Sequence, residues 1–204
     1  RPPRSTLFPY TTLFRSEIAR RSMEKLILDG RIHPARIEEI VEVTKKEMQS
    51  VIIEAGKQAA YEANIHNLHP MEVELLGKIK FQNVMGQNLL QHTMEVLNIT
   101  TTLAEELNLD VQLAKRCALL HDIGRASDEN HEGNHSEIGA DIAKRCKEPL
   151  EVYNAIAAHH ETVPARSLYA IILQIAHNVS LERPGSRKPF LEKHLKRLQR
   201  MEDL

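Results

Sequence analysis

Apolar residues recur along this chain with the period of an α-helix. The clearest stretch begins at Ile37, where apolar side chains return every three or four residues and the opposite face is charged. Its apolar positions are Ile37, Ile40, Val41, Met48, Val51, Ile52, Ala55 and Ala59. The spacing predicts one long helix over 37–59 with a single buried face, and such a helix needs a partner surface.

Turn and capping residues divide the rest of the sequence into further helices. Pro34 suits the first turn of the long helix, Asp110 can cap a helix, and Asn134 followed by Glu137 resembles a capping box. No stretch alternates with the two-residue period of a surface strand, so we predict an all-α fold with no substantial sheet. The other predicted helices are 17–28, 71–81, 86–107, 110–120, 134–146, 149–161, 168–181 and 190–201.

The first sixteen residues, RPPRSTLFPYTTLFRS, do not follow this pattern. They contain three prolines, three aromatic residues and no acidic residue. The segment resembles the in-frame translation of a common sequencing adapter, so we expect residues 1–16 to be an artefact and the natural protein to extend further upstream. The alternatives are a divergent natural N-terminus and a basic targeting peptide.

The composition is that of an ordinary globular protein. The chain is 42% hydrophobic and 27% charged, with a formal net charge of -1, so its total charge does not indicate a nucleic-acid partner. No apolar run approaches the roughly 18 residues of a membrane helix. Cys117 and Cys146 lie in predicted helices and are expected to be reduced, with one disulfide as the alternative.

Histidine is the unusual residue. Seven of the eleven histidines fall between His92 and His177, and histidine is the commonest metal ligand. His121 and Asp122 are adjacent in CALLHDIGR, and on a regular helix they would point about 100° apart. They can share an ion only where the helix ends, and Gly124 permits such a distortion. Taken singly, His92 is better explained as a hydrogen-bonded core histidine than as a ligand. The His-Asp pair alone is a weak signal, because any helix end can hold these residue types.

Four histidine motifs follow one another: GQNLLQH, LLHDIGR, EGNHSEIGA and IAAHHET. Their order resembles the HD-domain superfamily of metal-dependent phosphohydrolases, whose signature is His, then His-Asp, then a distant Asp. RIHPARIEEIVE, AGKQAAYEANIHNLHP and ERPGSR extend the likeness to the C-terminal catalytic half of the ribonuclease Y family over 17–204. The resemblance implies an HD-domain helical bundle over 86–182, after a helical lead-in over 17–85 and before a basic helix over 183–204.

The resemblance also implies a metal site. It places the family's ligand positions on His92, His121, Asp122, His135, His159 and His160. His135 is implied as a ligand of a second ion, with a solvated first-turn residue as the alternative. One of His159 and His160 would bind metal while the other supports it. We therefore expect one or two divalent ions (Mg²⁺, Mn²⁺ or Zn²⁺), with Asp122 bridging where there are two.

Two positions depart from the family pattern. The closing aspartate of the family should fall at His177, which can bind a divalent metal but is neutral where aspartate is anionic. One carboxylate fewer should weaken Mg²⁺ more than Mn²⁺ or Zn²⁺. Arg125 stands where the family usually has lysine, which keeps the charge and changes the geometry.

The resemblance implies a metal-dependent endoribonuclease that hydrolyses phosphodiester bonds of single-stranded RNA in mRNA turnover. Asp122, Arg125 and His135 are the expected catalytic residues. The metal site would activate water, Arg125 would neutralise charge on the phosphate, and His135 or a nitrogen of the 159–160 pair could act as the base.

RNA binding has one local candidate. Segment 183–200 has seven Lys or Arg and one Glu, and Arg183, Arg187 and Lys188 are candidate phosphate contacts. The alternative is a solvated helix face near the chain end. The resemblance further implies a homodimer, other RNA-decay proteins as partners of an upstream part, and a cytoplasmic position at the inner face of the membrane through an N-terminal helix of longer relatives.

Two other functions stay open. The HD superfamily includes nucleotide and cyclic-nucleotide phosphohydrolases, and a closed pocket beside the metal would favour them, whereas an open groove would favour RNA. With His177 in place of aspartate, the domain could instead be a degenerate scaffold or dimerisation module, with the helix over 37–59 as its packing surface.

Overall fold

Helices make up most of the part of the chain that the structure describes. The structure is a computed structural model that describes residues 11–30, 32–84, 87–127 and 134–183. The all-α fold is confirmed there, and the predicted helix over 190–201 lies outside these ranges. The helices are α1 (Thr11–Asp29), α2 (Pro34–Glu62), α3 (Pro70–Ile79), α4 (Leu89–Glu106), α5 (Val111–Leu120), α6 (His135–Arg145), α7 (Leu150–Ala158) and α8 (Leu168–Glu182), with a 3₁₀ turn at Ile123–Ala126.

A small hairpin that the sequence did not predict precedes α4. Strand β1 (Asn83–Val84) pairs antiparallel with β2 (Gln87–Asn88). Each strand has only two residues, which is too short to show an alternating pattern. The predicted helix over 86–107 therefore begins too early. Asn88 is the N-cap of α4, and its side chain accepts hydrogen bonds from two backbone amides of the first turn.

Capping residues mark where other helices begin. Asp110 caps α5 as predicted, because its Oδ1 accepts hydrogen bonds from the backbone amides of Gln112 and Leu113, at 2.9 and 3.2 Å. Asn134 occupies the N-cap of α6 but makes no side-chain capping bond, so the predicted capping box is wrong: residue spacing alone does not fix a side-chain rotamer. A capping box lies instead before α3, between His69 and Glu72.

The lead-in helices α1, α2 and α3 pack on one another. The apolar face of α2 contacts α1 and α3, which supply the partner surface that the pattern requires. A Cβ on Gly56 of α2 would lie 1.8 Å from the carbonyl oxygen of Val73 in α3, so only glycine allows this close crossing. The α2 face is therefore covered from within the chain, which weakens the case for it as a scaffold surface.

The main core lies among α4, α5, α7 and α8, and α6 packs on α7 and on the 3₁₀ turn. Cys117 is buried within it, and both cysteines are free thiols, as expected. No helix within the described ranges is long and apolar enough to cross a membrane. Fully buried side chains surround the C-terminal ends of α5 and α7; among them are Leu119, Leu120, Ile123, Ile142, Ile156 and Leu173.

Candidate metal centre

Two histidines of the site lie at the C-terminal ends of helices. His121 directly follows α5, and His159 directly follows α7. In each, ring Nδ1 lies close to the backbone carbonyl three residues earlier, at 2.7 Å for His121 and 2.6 Å for His159. Because a carbonyl only accepts, both Nδ1 atoms carry the proton and both Nε2 atoms keep a lone pair for a metal.

His92 and His177 join His121 in what we call the histidine group. His92 lies in the first turn of α4 and His177 in α8, and their ring centroids are 5.2 Å apart. The ring of His121 lies 5.6 Å from that of His92 and 5.5 Å from that of His177. The three ligand atoms lie within 4.8 Å of one another, which is close enough for one ion to reach them all.

A second cluster, which we call the mixed group, consists of Asp122, His135, His159 and His160. His135 is the first residue of α6, and its Nε2 lies 2.8 Å from Nε2 of His160. The four ligand atoms again lie within 4.8 Å of one another. The structure thus brings all seven predicted ligand positions together, and divides them between two adjoining groups.

Asp122 lies between the two groups. Its Oδ2 is 3.5 Å from Nε2 of His121 in the histidine group. Its Oδ1 is 3.4 Å from Nε2 of His135 and 3.6 Å from Nε2 of His159 in the mixed group. Since each carboxylate oxygen faces a different group, the side chain is oriented as a bridging ligand of two ions would be.

The site contains an unusual concentration of buried polar atoms without partners. Ten buried side-chain nitrogens or oxygens lack a hydrogen bond within the described residues, and five of them belong to this site. Each such atom costs about 1–3 kcal/mol in a protein interior. Cations bound in the two groups would satisfy all five, so the donor set fits divalent metals. The atoms are His92 Nε2, His121 Nε2, Asp122 Oδ2, His159 Nε2 and His177 Nδ1.

The protonation states also suit a metal. Burial, which disfavours the charged imidazolium, lowers the pKa of His92 and His160 to about 4 and that of His135 to about 3. Burial would raise the pKa of Asp122, but its contacts with histidines and the Arg125 guanidinium hold it well below the usual range. At neutral pH the site therefore offers neutral imidazoles and an ionised carboxylate, the forms that bind metals.

His177 differs from the other buried histidines of the site in which ring nitrogen is buried without a partner. Its buried nitrogen without a partner is Nδ1, whereas His92, His121 and His159 each present Nε2. Nδ1 is two bonds from Cβ, the same separation as a carboxylate oxygen of aspartate. This buried nitrogen is therefore as many bonds from Cβ as a carboxylate oxygen of the aspartate in the family pattern would be.

Gly124 positions the mixed group. A Cβ on Gly124 would lie 1.9 Å from the carbonyl oxygen of His135, so the 3₁₀ turn and α6 can approach this closely only with glycine. The sequence had suggested that Gly124 permits a helix distortion beside the His-Asp pair. Its role in the structure is close backbone contact, which brings His135 towards Asp122.

One cavity opens onto the site, and a second lies near it. A narrow cleft of about 90 Å³ reaches both groups. Arg125 lines this cleft, and its Nε donates a hydrogen bond to Asp122 Oδ1 at 2.8 Å. An open groove of about 680 Å³ runs beside α4. Gln87 lines both the cleft and the groove, so the two spaces adjoin.

The predicted RNA contacts are only partly within the described residues. Arg183 lines the groove and forms an ion pair with Glu95, while Arg187 and Lys188 lie outside the described ranges. Ser180, which contacts His92, and Glu95, which contacts Ser180, were not predicted from the sequence. Their only signal there is a polar residue one helical turn from a candidate ligand, which is too common to single out.

Comparisons with known proteins agree with this geometry. The HD domain family model matches residues 89–181, a stretch that contains both groups. Ribonuclease Y from Acetivibrio thermocellus is 53% identical over 190 residues, which are 93% of this chain and 36% of that protein. Ribonuclease Y from Enterococcus faecalis is 50% identical, with 93% of this chain and 37% of that protein aligned. No solved structure matches the chain significantly.

The fold and the paired groups therefore agree with the HD domain family model, which matches the chain over residues 89–181. Over its aligned length the chain is a homologue of ribonuclease Y. It spans just over a third of the length of these curated relatives.

Proposed function

We propose that this chain is the metal-binding, phosphodiester-cleaving part of an endoribonuclease that acts on single-stranded RNA in mRNA turnover. The observation that carries the proposal is the pair of adjoining groups joined by Asp122, with five ligand atoms buried and without partners in the described ranges. The substrate class rests on the relatives, each of which is named ribonuclease Y.

In this proposal the chain holds two ions. The histidine group would hold one and the mixed group the other, and Asp122, which lies between the groups, could contribute to both. Divalent ions at such a site generate a nucleophile from water at neutral pH and neutralise charge on phosphoryl oxygens. Because imidazole nitrogens outnumber oxygens in both groups, Mn²⁺ or Zn²⁺ fits better than Mg²⁺, which prefers oxygen ligands.

Arg125 and His135 have separate roles in the proposal. Arg125, held by Asp122 at 2.8 Å, places a positive charge in the cleft where a phosphate would enter. His135 is a ligand when the mixed group is filled. When only the histidine group is filled, His135 or His160 has a nitrogen available to accept a proton, since burial keeps both rings neutral.

An open groove near the site suits an extended strand such as RNA. The groove beside α4 is open and adjoins the cleft, so a strand with one phosphate in the cleft can continue along the groove. Lys80, Gln91 and Asn98 line the groove with exposed side chains that can donate hydrogen bonds to phosphates or bases. The cleft alone is narrow and would also suit a mononucleotide, so the choice of RNA rests on the groove and on the names of the relatives.

The test is metal-dependent cleavage of labelled single-stranded RNA. Protein stripped with chelator and reloaded with Mn²⁺ should cut RNA, and Asp122→Asn should abolish cleavage and metal binding. Asp141→Asn, which changes an exposed carboxylate on α6, is the matched control and should cut normally. Hydrolysis of cyclic nucleotides but not RNA would support the first alternative. A wild type that binds no Mg²⁺, Mn²⁺, Zn²⁺ or Co²⁺ would support the degenerate scaffold.

The finer expectations about assembly and location are further proposals that rest on the family resemblance. We infer a homodimer, which light scattering of the purified chain will test. Contacts with other RNA-decay proteins and a position at the inner face of the cell membrane are proposed for the longer protein. Co-purification and fractionation of that longer protein will test both.

A further inference from the structure

Nδ1 of His92 contacts a different kind of group from Nδ1 of the histidines at the helix ends, His121 and His159. His121 and His159 each point Nδ1 at a backbone carbonyl, which fixes the tautomer. His92 Nδ1 lies instead 3.0 Å from Oγ of Ser180 on α8. A hydroxyl can donate or accept, so this contact alone leaves the tautomer of His92 undetermined.

The next contact determines it. Oγ of Ser180 lies 2.9 Å from Oε2 of Glu95, and an ionised carboxylate only accepts hydrogen bonds. Ser180 therefore donates its proton to Glu95, and its oxygen accepts from N–H at Nδ1 of His92. Nε2 of His92 then keeps its lone pair, and it is this buried atom that faces the histidine group without a partner.

Glu95 is itself held in place. Arg183 forms an ion pair with its Oε1, and the amide of Gln87 donates to its Oε2 at 3.2 Å. Ser180 is fully buried, while Glu95 and Arg183 line the groove beside α4. A continuous series of contacts thus runs from the groove to the interior face of His92.

We propose that Ser180 and Glu95 are positioning residues of the metal centre, which hold His92 as the Nδ1-protonated tautomer with Nε2 directed at the ion. This rests on the proposed metal site and goes beyond it, because neither residue touches the ion. Carboxylates that orient a ligand histidine commonly contribute 10–100-fold to metal affinity. Here the carboxylate acts through a serine hydroxyl.

The first experiment reads the tautomer in metal-free protein by ¹⁵N NMR of the imidazole nitrogens. Wild-type His92 should be protonated at Nδ1, and Ser180→Ala should shift it towards the Nε2-protonated form because Nδ1 loses its acceptor. Glu95→Gln should shift it less, because an amide oxygen still accepts from Ser180. The matched controls are Ser22→Ala, a buried serine on α1, and Glu105→Gln, an exposed carboxylate on α4; both should leave His92 unchanged.

The second experiment measures Mn²⁺ affinity of the same folded variants by chelator competition. Ser180→Ala should bind about 10–100-fold more weakly than wild type, and the controls within about twofold. An unchanged tautomer or an unchanged affinity in Ser180→Ala overturns the proposal. Wild-type protein that binds no Mn²⁺ overturns the metal site itself, and the tautomer of the metal-free protein still decides whether Ser180 and Glu95 orient His92.

Discussion

Replacing Gly124 with alanine tests whether close packing of α6 on the 3₁₀ turn holds the mixed group together. The new Cβ would lie 1.9 Å from the carbonyl oxygen of His135 and 2.6 Å from the backbone nitrogen of Gly139. Since close carbon–oxygen contacts begin at about 3.3 Å, the two backbones must separate by about 1.4 Å. Both obstructing atoms belong to the backbone, so no side-chain rotation relieves the overlap.

That separation moves His135 away from Asp122. Their closest ligand atoms are 3.4 Å apart, and a shared ion needs bonds of about 2.0–2.2 Å to each. A further gap of about 1.4 Å exceeds what such bonds can span without rearrangement. Overpacking costs about 1–3 kcal/mol, which for a chain of this size lowers Tm by roughly 2–12 °C. The histidine group, on α4, α5 and α8, should keep its ion.

Metal stoichiometry separates this local effect from general destabilisation. After equilibrium dialysis against Mn²⁺, wild type should retain two ions per chain and Gly124→Ala one. Gly56→Ala is the matched control, because its Cβ would overlap Val73 of α3 equally closely, at 1.8 Å, but outside the site. It should lose comparable stability and keep two ions. Two ions in Gly124→Ala, or one in Gly56→Ala, would refute the reasoning.

Three further predictions concern single side chains. His177→Asp should raise Mg²⁺ affinity at least about tenfold relative to Mn²⁺, measured by competition titration, because it restores an anionic oxygen at the same distance from Cβ. Burial raises the pKa of Glu72 to about 7 in the folded chain. The unfolded chain therefore loses this proton at lower pH, and the free energy of unfolding falls as pH rises from about 4.5 to about 7. Glu72→Gln should flatten that slope, measured by urea titration of chelator-treated protein. Arg116→Ala leaves the buried Glu148 carboxylate without its ion-pair partner and should lower the free energy of unfolding by about 3 kcal/mol in the same titrations. Equilibrium dialysis of this variant should show an unchanged metal stoichiometry.

The helices and the set of candidate ligands could be predicted because both depend on local signals. The apolar period of α2 extends over the whole helix, and Asp110 is a cap residue at the right distance from an apolar run. The ligand set came from the order of histidine motifs and not from any one of them. The same local reasoning failed where an element is too short to have a period, as in the hairpin before α4.

What the sequence could not supply depends on contacts between distant residues. Ser180 and Glu95 are 85 positions apart and meet because α4 and α8 pack side by side. The division of the ligands into two groups depends on which way each oxygen of Asp122 faces. Gly124 could be recognised as important beside the His-Asp pair, but the backbone it accommodates belongs to α6, ten or more residues further along.

His177 shows why a change of residue type need not abolish a metal site. A comparison of types records the loss of an aspartate, and on that basis a degenerate domain is a reasonable expectation. The structure places His177 in the histidine group, and its buried Nδ1 is the same number of bonds from Cβ as the missing oxygen. A residue with a donor atom is kept in the group, and what is lost is one negative charge. The consequence to expect is therefore a changed preference among metals, in favour of those that bind imidazole well, and not an absence of metal.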